Sequence, residues 1–149
     1  MPWGFESPRP HHYYPFKINH LPRHRCDLVQ IVGAVTNEMK GLFESKSLEL
    51  KLDMKDAEFY AEIDQFRIKQ VLRNVLGNAV KFSPAKGVIS LKLSLLENRV
   101  QITIEDDGPG IPKDEINKVF DHFQQSSRND VGVGTGLGLS ICREIITEH

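Results

Sequence analysis

Ile68, Val71, Leu72, Val75, Leu76 and Ala79 recur at three- and four-residue spacing, so Ile68 to Phe82 predicts an amphipathic helix with one apolar stripe. Such a stripe has to be buried against a second layer, which restricts the fold to packed architectures that put this helix at their centre. Asn74 and Asn78 lie one turn apart at the edge of the stripe. Asparagine is a poor interior helix residue because its amide competes for nearby backbone groups, so two at this spacing call for a reason. Their side-chain oxygens are hard, neutral ligands that suit Mg²⁺ held together with phosphate oxygens. Lys81, three residues beyond Asn78, places an ammonium on the same rim. The helix alone leaves a second explanation equally open: the amides satisfy buried backbone groups, and Lys81 is a solvated cation favoured by the helix C-terminus.

The elements around this helix alternate in type. Asp27 is placed to cap a helix with apolar positions Leu28, Ile31, Val32, Val35 and Met39. Leu48, Leu50 and Leu52 alternate as in a half-buried strand, and Phe59 to Ile63 reads as a second short strand. Asp64 caps the asparagine helix, and Ser83 to Gly87 ends it in a turn. Val88 to Leu95 and Val100 to Ile104 form strands joined through Glu97 and Asn98. A Gly-Pro turn, a short helix near Lys113 to Phe120, a polar loop from Gln124 to Asp130 and a last helix from Leu137 to Glu148 complete the order. The expected fold is α+β, a two-layer sandwich with a mixed sheet covered by helices.

A chain of 149 residues is long enough for one domain with a real core. With 40% hydrophobic and 26% charged residues and a formal net charge of −1, no basic excess points to nucleic acid. No apolar run approaches the roughly 18 residues of a membrane span, and the first residues lack the order of a signal peptide. Cys26 and Cys142 match no metal or redox spacing, which favours reduced thiols and a cytoplasmic setting. Residues 1–26 are rich in proline and histidine without periodicity and are expected to be a poorly ordered leader, with the domain at 27–149. His20, His24 and Cys26 are read as parts of a polar tail because no second cluster completes a metal site.

Three further motifs follow the helix. In Ile104-Glu-Asp-Asp-Gly-Pro-Gly-Ile-Pro112 a strand runs into Asp106-x-Gly108-x-Gly110. A carboxylate at Asp106 can accept a hydrogen bond from the exocyclic amino group of adenine, where guanine would present a carbonyl. The glycines allow close backbone approach; Asp107 is expected to be solvated. Gly132-Val-Gly-Thr-Gly-Leu-Gly-Leu139 opens a helix, an arrangement suited to anions, yet it fits neither the Walker nor the dinucleotide pattern. Phe120 and Phe123 are expected to anchor the polar loop to the core, with His122 exposed between them.

Taken in order, Asn-x3-Asn-x2-Lys-Phe, Asp-x-Gly-x-Gly, Phe-x2-Phe and Gly-x-Gly-x-Gly-Leu resemble the N, G1, F and G2 boxes of the GHKL ATPases. Asn78-Ala-Val-Lys-Phe-Ser-Pro84 and Gly134-Thr-Gly-Leu-Gly-Leu-Ser-Ile141 are closest to the catalytic ATP-binding domain of bacterial sensor histidine kinases. The resemblance implies the Bergerat ATP-binding fold over about residues 27–149. It implies that Asn78, assisted by Asn74, holds Mg²⁺ on the phosphates of ATP and that Lys81 contacts phosphate. It places Asp106 on the adenine amino group, with Gly108, Gly110 and Ile111 shaping the pocket and Phe82 flanking base or ribose. Gly134, Gly136 and Gly138 would hinge the lid and present backbone N–H groups with Leu137 packed beneath them. Thr135 would bind ATP in the same run, and charge and position make Arg128, in the lid, a candidate phosphate contact.

The resemblance also implies partners: a phospho-acceptor histidine domain and, through it, a response regulator, as in the cytoplasmic part of a membrane-bound sensor. None of His11, His12, His20, His24, His122 or His149 has the context of that acceptor, so the chain is expected to bind ATP without phosphorylating itself. Family members continue with further strands after the position of His149. The sheet is therefore expected to lack its C-terminal strands and to carry an open edge capable of self-association. A stand-alone nucleotide-binding module, an anti-sigma-type serine kinase and a gyrase- or chaperone-like ATPase are the alternatives. The last would need a carboxylate base for water, and Glu62 and Asp64 precede the helix.

Overall fold

The computed structural model describes residues 22–54, 58–121 and 138–149. Asp27 ends a short strand, β1 (His24–Asp27), and its Oδ1 accepts from Val29 N at 2.9 Å to start α1 (Leu28–Glu38). Leu28, Ile31, Val32 and Val35 form the buried face of that helix. The chain breaks at Met39 into α2 (Lys40–Ser45), which buries Phe43, and then enters β2 (Glu49–Asp53). After β3 (Tyr60–Ile63), Asp64 Oδ1 accepts from Phe66 N and Arg67 N at 2.9 and 3.2 Å, capping α3 (Gln65–Phe82) as expected. The hairpin β4 (Val88–Leu96) and β5 (Arg99–Asp106) follows, and α4 (Gly138–Glu148) ends the described chain.

β2 runs parallel to β4, and β4 runs antiparallel to β5, giving a mixed sheet in the order β2-β4-β5. The register sets Leu91 opposite Ile104 and Leu93 opposite Ile102. Ile89, Leu91 and Leu93 on β4 are buried together with Ile68, Leu72, Leu76 and Ala79 of α3, Val32 and Val35 of α1 and Ile145 of α4. The core therefore lies between a helical layer and one face of the sheet, with α3 at its centre. The β4–β5 turn places Glu97 at φ 54° between the paired Leu96 and Arg99.

The structure departs from the sequence expectations in three places. Residues 24–26, read as the end of a leader, belong to β1, whose four residues pair antiparallel with β3 in a separate two-stranded ribbon, Cys26 opposite Ala61. The expected helix near Lys113 to Phe120 is a run of turns. Glu115 N, Lys118 N and Asp121 N reach back three residues while Ile116 N and Val119 N reach back four, so no continuous helical ladder forms. Leu52 is 40% exposed, so the alternation at Leu48, Leu50 and Leu52 buries its first member best. Among the described residues β5 is an edge strand of this sheet.

Candidate functional site

The two asparagines of α3 have different surroundings. Asn74 Nδ2 donates to Gly138 O at 3.5 Å and lies 3.7 Å from Cys142 Sγ, so its amide faces the first turn of α4. The buried Cys142 thiol in turn reaches Val71 O at 3.9 Å. Burial pushes the Cys142 thiol above its ordinary pKa, against the smaller opposing effect of the Asn74 amide, so it is a neutral packing group rather than a thiolate nucleophile. Asn78, half-buried one turn later, makes no side-chain hydrogen bond to any described residue. Beyond it the Lys81 ammonium lies 5.1 Å from the centroid of the half-buried Phe82 ring.

The loop leaving β5 meets the end of this helix. Asp106 is exposed, and its Oδ1 accepts from Gly108 N at 2.7 Å, forming an Asx turn. A Cβ at Gly108 would lie 2.5 Å from that oxygen and 3.1 Å from Phe82 O, so only glycine lets the loop close on the helix end. Gly110 adopts φ +73°, the left-handed region where a side chain would be strained. Ile111 is exposed. Asp107, expected to be solvated, is exposed but also holds structure, since its Oδ2 accepts from Val88 N at 2.8 Å. One carboxylate thus faces the open rim while its neighbour ties the loop to the first residue of β4.

Asn78, Lys81, Phe82, Asp106 and Gly108 are thereby gathered at the C-terminal end of α3, while Asn74 and Gly138 meet at the α3–α4 contact. Arg128, Gly134, Thr135, Gly136 and Leu137 lie outside the described residues, as do His122 and Phe123. Phe120 is half-buried rather than a member of the buried core, with the Arg143 guanidinium of α4 5.9 Å from its ring centroid. Among the described residues no group of three or more His, Cys, Asp or Glu is placed to hold a metal. Asn78 offers this rim a neutral amide oxygen, a hard donor of the kind Mg²⁺ accepts and a soft metal does not prefer.

Two contacts at this end of the helix had no motif to announce them. Lys46 donates to carbonyls of the last turn of α3 and the residue after it, and Asp107 anchors β4. At the other end, His149 Nε2 accepts from Asp64 N at 3.0 Å while Nδ1 meets Ile145 O at 2.7 Å. The ring serves both only as the neutral Nδ1–H tautomer.

Residues 63–149, more than half of the chain, match the family model described as histidine kinase-, DNA gyrase B- and HSP90-like ATPase. The chain belongs to this family. Sensor histidine kinase WalK of Bacillus subtilis (strain 168) is 37% identical over 131 residues, covering 85% of this chain and 21% of that protein. The chain therefore spans about a fifth of the length of that relative. The nucleotide-free catalytic domain of histidine kinase ThkA superposes with a TM-score of 0.76 at 28% identity, covering 85% of this chain and 80% of that one. Full-length ShkA, solved in complex with AMPPNP, superposes with a TM-score of 0.74 at 28% identity over 87% of this chain and 27% of that one. Within the family, the α+β sandwich described above is the fold of histidine kinase catalytic domains.

Proposed function

We propose that the chain binds Mg-ATP at the C-terminal end of α3 and serves as the catalytic part of a two-component sensor histidine kinase, donating the γ-phosphate to a histidine on a separate domain. The observation that carries this reading is the meeting of two motifs distant in sequence. Gly108 of the Asp106 loop rests against Phe82 O, one turn from an Asn78 amide left without a described partner. Asp106 spends Oδ1 on its own loop, which leaves Oδ2 to accept from the amino group of adenine. Asn78 would offer its side-chain oxygen to Mg²⁺, and Lys81 its ammonium to phosphate. Asn74 spends its Nδ2 on α4, holding that helix against α3, and keeps its Oδ1 to assist Asn78 at the metal. The α4 N-terminus beside it suits phosphate oxygens.

In-line phosphoryl transfer needs positioning and charge neutralisation more than covalent chemistry, and Asn78 and Lys81 supply groups of that kind. The bound Mg²⁺ would supply charge neutralisation between the phosphates. The accepting histidine would belong to a helical domain that in turn serves a response regulator. The AMPPNP held by ShkA is consistent with this reading. Calorimetric titration with a nonhydrolysable ATP analogue and Mg²⁺ tests it. Wild type should bind, and Asn78→Ala should bind about 30-fold or more weakly, the scale of losing a charge-assisted contact to a metal–phosphate group. Equal affinities would remove Asn78 from the site.

A further inference from the structure

The last carbonyls of a helix have no partner within it. In α3 one of them, Ala79 O, accepts from Ser83 N at 3.0 Å. The carbonyls of Val80 and Lys81 are taken up by the Lys46 ammonium, at 2.8 and 3.1 Å, and the same group reaches Ser83 O at 2.7 Å. An ammonium carries three donors and no acceptor, so Lys46 spends its whole inventory on one helix end. Its charge also complements the negative end of the helix dipole. The residue comes from the C-cap of α2 and is half-buried, not one of the solvated lysines.

The main chain beside Lys46 grips the same turn. Lys46 O accepts from Lys86 N, and Gly87 O accepts from Glu49 N, each at 3.0 Å. On the far side, Val88 N is held by Asp107 and Phe82 O backs onto Gly108. The end of α3 is thus clamped between the α2–β2 junction and the Asp106 loop, and Lys46 is the side chain that fixes its height.

We propose that Lys46 is a positioning residue of the nucleotide site, acting through the last turn of α3 to hold Asn78 and Lys81 in register with the Asp106 loop. The inference rests on the assignment of Asn78 and Lys81 to the phosphates. It has a consequence that a purely structural cap lacks. Asp106 stands on β5, whereas the phosphate-side groups stand on the helix that Lys46 holds. Loosening the helix end should therefore weaken binding of the triphosphate more than binding of the base.

The test measures Mg-ATP by calorimetry and adenosine by NMR titration on the 149-residue chain, at a temperature where every variant is folded. The variants are wild type, Lys46→Met, Lys46→Arg, Asn78→Ala and Leu28→Ala, the last a remote core control in α1. Lys46→Met should lower Mg-ATP affinity about tenfold and adenosine affinity no more than about twofold, since small misplacements of a positioned group carry disproportionate losses. Lys46→Arg, which keeps charge and several donors, should recover most of the loss. If Lys46→Met does not fold, Lys46→Gln, which retains donors without charge, carries the same comparison. Equal losses for both ligands, matching Leu28→Ala, or no loss at all, would overturn the positioning role while Asn78→Ala still marks the site. An Asn78→Ala variant that binds Mg-ATP like wild type would overturn the underlying assignment and the proposal with it.

Discussion

Helix α3 is finished at each end with the help of a residue far away in the chain, His149 at one and Lys46 at the other, and the two ends differ in what depends on them. At its N-terminus the Asp64 carboxylate caps Phe66 N and Arg67 N, and the His149 ring takes Asp64 N. At its C-terminus the Lys46 ammonium takes carbonyls. The physical task is the same, satisfying backbone groups that the helix leaves orphaned. At the N-terminus the cap joins α3 to the end of α4, and none of the motif residues stands there. At the C-terminus the cap stands one turn from Asn78 and against the Asp106 loop. Capping of equal strength should therefore register as stability at one end and as ligand affinity at the other.

The sharpest way to break this contrast is at the joint between loop and helix. Gly108→Ala introduces a Cβ at 2.5 Å from Asp106 Oδ1 and 3.1 Å from Phe82 O, and the second of these is backbone that cannot rotate away. Either the Asx turn opens, removing Asp106 from its place, or the helix end moves. Both routes should cost Mg-ATP affinity on the order of 100-fold, toward the upper end of what losing a hydrogen bond to a charged group costs (about 1.5–3 kcal/mol). Calorimetry checks it, and wild-type affinity in this variant would show that the loop and the helix end do not act together.

The complementary substitution is Asp64→Ala at the opposite end. Loss of an N-cap side chain costs about 1 kcal/mol, with a range of about 0.5–2. Urea unfolding should register that loss, while Mg-ATP affinity at low temperature stays within about twofold of wild type, because the cap is remote from the last turn. A drop in affinity as large as that of Lys46→Met would mean that the whole helix moves as one body and that its ends are not separable.

How much of this could be read from the chain depends on the range of the interactions involved. The Asp27 and Asp64 caps, the apolar stripe of α3 and the Glu97–Asn98 hairpin are set by neighbours within a few residues, and each stands where the pattern puts it. The Asn74–Phe82 and Asp106–Gly110 motifs stand out in the sequence because each is compact, whereas their meeting at Phe82 and Gly108 is a tertiary fact. Lys46 was not legible: its partners lie 34 to 37 residues away, and a lysine after a short helix looks like any solvated cation. Asp107 and His149 were missed for the same reason, with partners 19 and 85 residues distant. β1 escaped notice because its four residues show no alternation and are defined by pairing with β3. The turns at 113–120 carry helix-compatible residues whose hydrogen bonds alternate between two lengths, which composition does not reveal.

The smallest expected effect sharpens the account of the C-terminal end. Ser83 is the C-cap of α3; its carbonyl is held by Lys46 and its N–H by Ala79 O, yet its buried Oγ has no hydrogen-bond partner among the described residues. An unsatisfied buried hydroxyl costs about 1–3 kcal/mol, and replacing it by hydrogen recovers part of that at the expense of a small void. Ser83→Ala should therefore leave stability unchanged or raise it by up to about 1 kcal/mol in urea unfolding, with Mg-ATP affinity unaltered. A loss of stability would show that the Ser83 hydroxyl itself supports the turn, alongside Lys46 and Asp107. Main-chain contacts are identical in the two variants, so the comparison isolates the side-chain contribution at the one place where α3, β4 and the Asp106 loop converge.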